Sequence, residues 1–268
     1  MTPPAGERSK LATAWFITCV VVTLPFVWVV GALVMLVTMP FDPHRHAMQR
    51  WVNGCCHQYL RCWPGWRVRV TGREHLPKGP FVMVANHQSA ADIWALLGLG
   101  VPYTFVSKAS MFKIPFIGWM MGWMGHIALQ RDRRDSVKQM LRACEERLAQ
   151  GEPVLIFPEG TYASGPLRLP FRRGAFHLAQ HAQVPLVPVV IRGTLALIFE
   201  DGPLFASRGD VHVEVMPPIA PPAPHDVLGP CIADVQARFS AWLGQPFAPS
   251  PGRSARAVDG DEAEPGVR

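Results

Sequence analysis

The stretch VMVANHQSAAD, Val82 to Asp92, runs an apolar strand into Asn86-His87 and places an aspartate five residues after the histidine. Those residue types suit proton transfer. A carboxylate bonded to one imidazole nitrogen fixes the tautomer and raises the basicity of the other, which can then accept a proton. If the strand ends at Asn86 and a helix begins near Ala90, the intervening turn brings His87 and Asp92 together. A plainer reading is also open: Asp92 caps the next helix and His87 is a bystander. The pair alone does not choose between the two.

Two more strand ends carry polar groups. GHIALQRDRR leads into Arg131, with Arg133 and Arg134 beyond, and LIFPEGTYASG places Glu159, Gly160 and Thr161 together. LRLPFRRGAF then supplies Arg168, Arg172 and Arg173 ahead of a helix. Glycine at position 160 would let backbone N–H groups approach an anion closely. A solvated charge run is the plain alternative for the arginines. No G-x-S-x-G nucleophile elbow is present, which speaks against an acyl-serine. Cys55-Cys56-His57 lacks zinc-site spacing, and adjacent side chains on a helix diverge. No metal site is expected.

The elements that must position these groups follow from the apolar pattern. Strand-length runs occur at 81–86, 103–108, 126–131, 154–160, 186–193 and 211–216. Several are apolar without strict alternation, as strands covered on both faces are. Helical patterns lie between them, at 136–150, 174–181 and 231–243. In the first, Val137, Met140, Leu141, Cys144 and Leu148 recur at three- and four-residue spacing before Gly151. Alternating strands and helices predict an α/β fold with a largely parallel sheet covered by helices, beginning after Gly72. The Pro-, Gly- and charge-rich residues 248–268 predict a disordered tail.

Charged residues make up only 17% of the 268 residues, against about a quarter in ordinary soluble domains. From Leu11 to Met39 there is no charge at all. That run exceeds the roughly 20 residues needed to cross the bilayer hydrocarbon. It either spans with tilt or breaks at Pro25 into a re-entrant pair. Basic residues flank both ends, which suits a hairpin with both flanks in the cytoplasm. It is too long for a secretory signal. The aromatics of 47–66 either sit at headgroup level or pack on the domain. The expected organisation is a polar segment at 1–10, membrane-anchoring and interfacial helices at 11–66, a catalytic domain at 67–247 and the tail. Net charge is +6. With no nucleic-acid motif present, anionic lipid or a phosphate-bearing substrate is the expected partner, not nucleic acid. The six cysteines form no disulfide framework and suit a reducing compartment.

Together these blocks resemble the glycerolipid acyltransferases of the lysophosphatidic acid acyltransferase family. NHQSAAD is similar to that family's NHxxxxD block, GHIALQR to its second and VPLVPVV (184–190) to its fourth. FPEGT is its third block, intact. The resemblance covers about Gly72 to Pro218, and the apolar N-terminus matches the family's membrane-binding segment. It implies transfer of a fatty acyl group from a thioester, acyl-CoA or acyl carrier protein, to the hydroxyl of lysophosphatidic acid. His87 would be the base, oriented by Asp92. Lys108, Arg131 and Arg172 would hold the acceptor's phosphate. Glu159 would contact the acceptor or hold the loop, N–H groups near Gly160 would meet the oxyanion, and Thr161 would belong to the substrate-binding set. Met111–Gly125 would line an acyl slot, touch the bilayer or pack in the core. No cofactor is implied beyond the thioester co-substrate. The expected location is the inner membrane, catalytic side toward the cytoplasm. The sequence departs from the family at two places: Tyr162 stands where arginine is usual, and Ser110 where glutamate is usual.

Overall fold

The computed structural model describes residues 8–130, 133–161, 169–197 and 205–247. Nine strands are described: β1 (Arg8–Ser9), β2 (Trp66–Thr71), β3 (Val82–Ala85), β4 (Thr104–Lys108), β5 (Ile127–Leu129), β6 (Val154–Ile156), β7 (Leu186–Arg192), β8 (Phe205–Ala206) and β9 (Gly209–Val215). The described α-helices are α1 (Lys10–Thr38), α2 (His46–Tyr59), α3 (Ala91–Leu97), α4 (Ile117–Trp123), α5 (Arg134–Ala149), α6 (Gly174–Ala182) and α7 (Leu228–Leu243).

Seven strands form one sheet in the order β2-β9-β7-β3-β6-β4-β5. Every pairing is parallel except β7 with β9. Central β3 and β7 are buried almost throughout, which is why VMVA and LVPVV read as unbroken apolar runs. Two cores result, one on each face. Phe81, Met83, Leu96 and Val213 belong to one; Val82, Phe176, Leu178 and Phe239 belong to the other.

The α/β unit begins earlier than the sequence suggests. Trp66–Thr71 is an edge strand, paired in parallel with β9 from Trp66↔Gly209 to Thr71↔Glu214. Its Arg67 and Arg69 alternate with Val68 and Val70, the pattern of a strand with one wet face. Trp66 is buried and its Nε1 donates to Ala206 O at 2.8 Å, so it packs on the domain and does not sit at headgroup level.

Of the two arrangements open for the apolar run, the break at Pro25 does not occur. α1 is one 29-residue helix with Pro25 inside it. A helical proline removes one backbone bond and crowds the preceding turn, but packing on both sides of it can hold the helix together. Phe16 on one side packs against Trp94 and Phe205, and Trp28 on the other packs against Trp123. Trp51 Nε1 also donates to Val27 O at 3.1 Å.

Both ends of α1 are fastened to the same domain. Ahead of it, Arg8–Ser9 pairs antiparallel with Phe205–Ala206. Behind it, Arg45 Nη1 donates to Gly122 O at 2.8 Å, and His44 lies 3.1 Å from buried Glu152. Glu152 also meets Arg147 at 3.3 Å and accepts from Thr104 at 3.2 Å, tying the chain ahead of α2 to α5 and β4. The outward face of α1 stays apolar and exposed, including Leu11, Val22, Phe26, Leu33 and Leu36. It is the one helix, among the described residues, long and apolar enough to cross a membrane.

Candidate active site

β3 ends at the middle of the sheet, and Asn86 fastens that end. Its Nδ2 donates to Ile191 O at 2.9 Å and its Oδ1 accepts from Ile191 N at 2.7 Å, so the side chain continues the ladder to β7. His87 then leaves the sheet on a fixed backbone. Its N–H donates to Glu159 Oε1 at 3.1 Å, and its ring stacks on Phe157 at 4.1 Å between centroids.

His87 and Asp92 meet as the spacing allowed. Nδ1 lies 2.7 Å from Asp92 Oδ2. A carboxylate only accepts, so Nδ1 carries the proton and Nε2 is the basic atom. Asp92 is not the N-cap. It sits in the first turn of α3 and reaches back to the chain before it. The same Oδ2 accepts from Gln88 N at 2.5 Å and Ser89 N at 2.9 Å, while Oδ1 accepts from the Thr194 hydroxyl. Asp92 is fully buried and His87 is 13% exposed by side chain. Four donors around one buried carboxylate offset the loss of its hydration.

A cavity of about 840 Å³ opens at His87 and runs between the sheet and the N-terminal helices. At its polar end stand Lys108, Thr161, Gly160 and Arg172. Gly160 has φ +75°, and a Cβ there would lie 2.7 Å from Arg172 Nε. Glycine thus serves both the turn and the seating of the guanidinium. Gly174 and Ala175, at the start of α6, also reach this end, bringing the positive end of a helix dipole. The far part is apolar, lined by Val27 of α1, Val52 of α2, and Met120 and Met121 of α4.

Of the residues the sequence singled out, His87, Lys108, Gly160, Thr161 and Arg172 line one cavity, with Asp92 directly behind the histidine. Glu159 holds the His87 backbone. Gly160 cannot use its own N–H on a ligand while that group bonds Phe157 O at 3.0 Å. Met111, Ile117, Met120 and Met121 line this cavity, and Phe116 and Trp119 are exposed. Arg131, Arg168 and Tyr162 lie outside the described residues. Asn86, Phe157 and Thr194 are further members of the site. Thr194 is 102 residues from Asp92, and nothing local in the sequence marks it.

Cys56 also lines the cavity. Burial, with Cys55 beside it, pushes its thiol up to about 12, far from the thiolate that a cysteine nucleophile needs.

The Acyltransferase family model matches residues 67–192. The chain is similar to a 1-acyl-sn-glycerol-3-phosphate acyltransferase of Chlamydomonas reinhardtii, 42% identical over 60% of this chain and 48% of that protein. A protein of the same description from Saccharomyces cerevisiae is 36% identical over 65% of this chain and 58% of its own length. These matches span only about half to three-fifths of the curated relatives. The crystal structure of the 1-acyl-sn-glycerophosphate acyltransferase of Thermotoga maritima superposes with a TM-score of 0.70 at 26% identity, over 89% of this chain and 97% of that one.

Proposed function

We propose that this chain is a glycerolipid acyltransferase of the kind that carries the NHxxxxD block, and that it acylates the free hydroxyl of lysophosphatidic acid from an acyl thioester, giving phosphatidic acid. The observation that carries this reading is the Asp92–His87 pair opening onto a cavity that is cationic at one end and apolar along its length.

The geometry supports the following steps. The acceptor's hydroxyl faces His87 Nε2, which takes its proton as the oxygen attacks the thioester carbonyl. Asp92 stabilises the imidazolium that forms. The tetrahedral oxyanion meets the N–H and hydroxyl of Thr161, since Gly160 N–H is engaged in its turn. The C–S bond then breaks, and the imidazolium returns the proton to the departing thiolate. Lys108 and Arg172 hold the acceptor's phosphate, and Arg131 is proposed to join them. The donor's fatty chain lies between Val27 and Met121. No prosthetic group is required; the thioester, on CoA or carrier protein, is a co-substrate.

Arg172→Ala should raise KM for lysophosphatidic acid about ten- to a hundredfold with little change in kcat. A bond to a charged group is worth about 1.5–3 kcal/mol, and ground-state binding is lost along with transition-state binding. Gly160→Ala should do the same more weakly, because a methyl there displaces the guanidinium. Equal falls in kcat would place Arg172 at the reacting atoms instead. Cys56→Ala should retain most of the activity, and loss of turnover with fold intact would revive a covalent acyl-cysteine route.

α1 is proposed to lie in the bilayer beside the domain. Fastened at both ends, it exposes Phe26 (64%) and Val29 (50%) outward. The catalytic face then looks at the leaflet that supplies the lipids, on the cytoplasmic side of the inner membrane. Phe26→Glu with Val29→Glu should release the protein from vesicles, as a charge in the hydrocarbon costs about 2.5–3.5 kcal/mol. Full retention after a high-salt wash would remove this face from the anchor.

The acceptor is tested with purified protein in detergent against a panel of lyso-lipids and both donor types. Lysophosphatidic acid should give the highest kcat/KM. A phosphate-free lyso-lipid at the top would overturn the choice of acceptor.

A further inference from the structure

A second cavity lies on the other side of the catalytic loop. It measures about 150 Å³, and Phe16, Trp66, Ala90, Trp94, Leu197 and Phe205 are among its walls. All its lining residues are apolar or aromatic, and of its two indoles Trp66 satisfies its N–H on Ala206 O. An apolar space of this size accepts a small hydrocarbon group, on the scale of a benzene ring. Ala90 and Trp94 line both cavities, so the two compartments meet beside the loop that carries His87.

Sheet order sets what each compartment can receive. On one flank of β3 lie β6, β4 and β5; on the other lie β7, β9 and β2. The cationic groups stand on the first flank, Lys108 at the end of β4 and Thr161 and Arg172 after β6. The small cavity is walled from the second flank, by Leu197 after β7 and Trp66 at the start of β2. Phe16 of α1 covers it, with ring centroids 4.5 Å from Phe205 and 5.1 Å from Trp94. About three turns of α1 thus roof both spaces from one face: Phe16 over the small cavity, then Val20, Leu24 and Val27 over the large one.

The acceptor has the matching shape. Its reacting hydroxyl is on the middle carbon of glycerol, with phosphate on one terminal carbon and a fatty ester on the other. With the hydroxyl at His87 and the phosphate toward Lys108 and Arg172, the ester must leave toward the opposite flank. We infer that the small cavity receives the first methylenes of the acceptor's own acyl chain, leaving the large cavity to the donor's chain. The rest of the acceptor's chain passes into the bilayer past the exposed Leu11 and Trp15 of α1. The two fatty chains are thereby sorted to opposite sides of the histidine before reaction. This inference rests on the reading of the acceptor given above.

Photo-crosslinking separates the compartments in the full-length protein. Lysophosphatidic acid bearing a diazirine near the ester should label Phe16, Leu197 or Phe205, and an acyl thioester bearing one in mid-chain should label Met120 or Met121. Both probes labelling Met120 and Met121, or the acceptor probe labelling only the outer face of α1, would overturn the sorting. A protein that labels with the thioester but forms no phosphatidic acid fails at the acceptor reading itself. As a second readout, Phe205→Trp fills the small cavity. It should lower the preference for long-chain over acetyl-chain lysophosphatidic acid about tenfold or more, without changing the order of preference among donor chain lengths. An unchanged acceptor preference in a folded variant, or a shifted donor preference, would also overturn it.

Discussion

His87→Ala is expected to lower kcat/KM for acyl transfer about 10²- to 10⁴-fold, the range for a positioned general base. Its thermal midpoint should stay close to that of the parent protein. The side chain is part-exposed at the cavity, and Asp92 keeps its bonds from Gln88 N, Ser89 N and Thr194 when the imidazole is gone. The buried carboxylate is therefore not orphaned. His87→Gln should be equally inactive, because an amide can donate to Asp92 but takes no proton on its other side. Steady-state kinetics beside a melt in the same detergent separate the two effects. A variant keeping more than about a tenth of the activity would fall outside that range and remove His87 from the proton transfer.

Asp92→Asn is expected to cost about 10²- to 10⁴-fold in kcat with only a modest loss of stability. The amide oxygen can take the Oδ2 position and still accept from His87, Gln88 and Ser89. The NH₂ can take the Oδ1 position and donate to the Thr194 hydroxyl, which rotates to accept. The constellation survives, but the negative charge that stabilises the imidazolium is gone. Asp92→Ala differs in kind. It strands two buried backbone N–H groups, each costing about 1–3 kcal/mol, so it should lose stability as well as turnover. If Asp92→Asn keeps near-parent kcat, the carboxylate serves the loop and not the base.

What was legible in the sequence was what is local. His87 and Asp92 are joined within one strand-to-helix turn, so their spacing carried the information. The unbroken apolar runs of β3 and β7 announced a sheet covered on both faces. The supports that come from afar left no local trace. Asn86 bonds Ile191 and Asp92 bonds Thr194 across more than a hundred residues, joined only because β3 and β7 are neighbours. The edge strand Trp66–Thr71 was missed because its tryptophan sits in an aromatic stretch that also suits a membrane interface. At Pro25 the local preference for a break was overruled by packing on both sides. Lys108 and Arg172 were visible as charges, but only the resemblance gave them a shared purpose, and only the fold puts them in one cavity.

The central claim is direct transfer from a thioester to lysophosphatidic acid at His87. Thiol release and phosphatidic acid formation, counted in one reaction with and without lysophosphatidic acid, test it most directly. The account predicts one thiol released per phosphatidic acid formed, little release without the acceptor, and loss of both in His87→Ala. Rapid thiol release that ignores the acceptor, or turnover without phosphatidic acid, would contradict it.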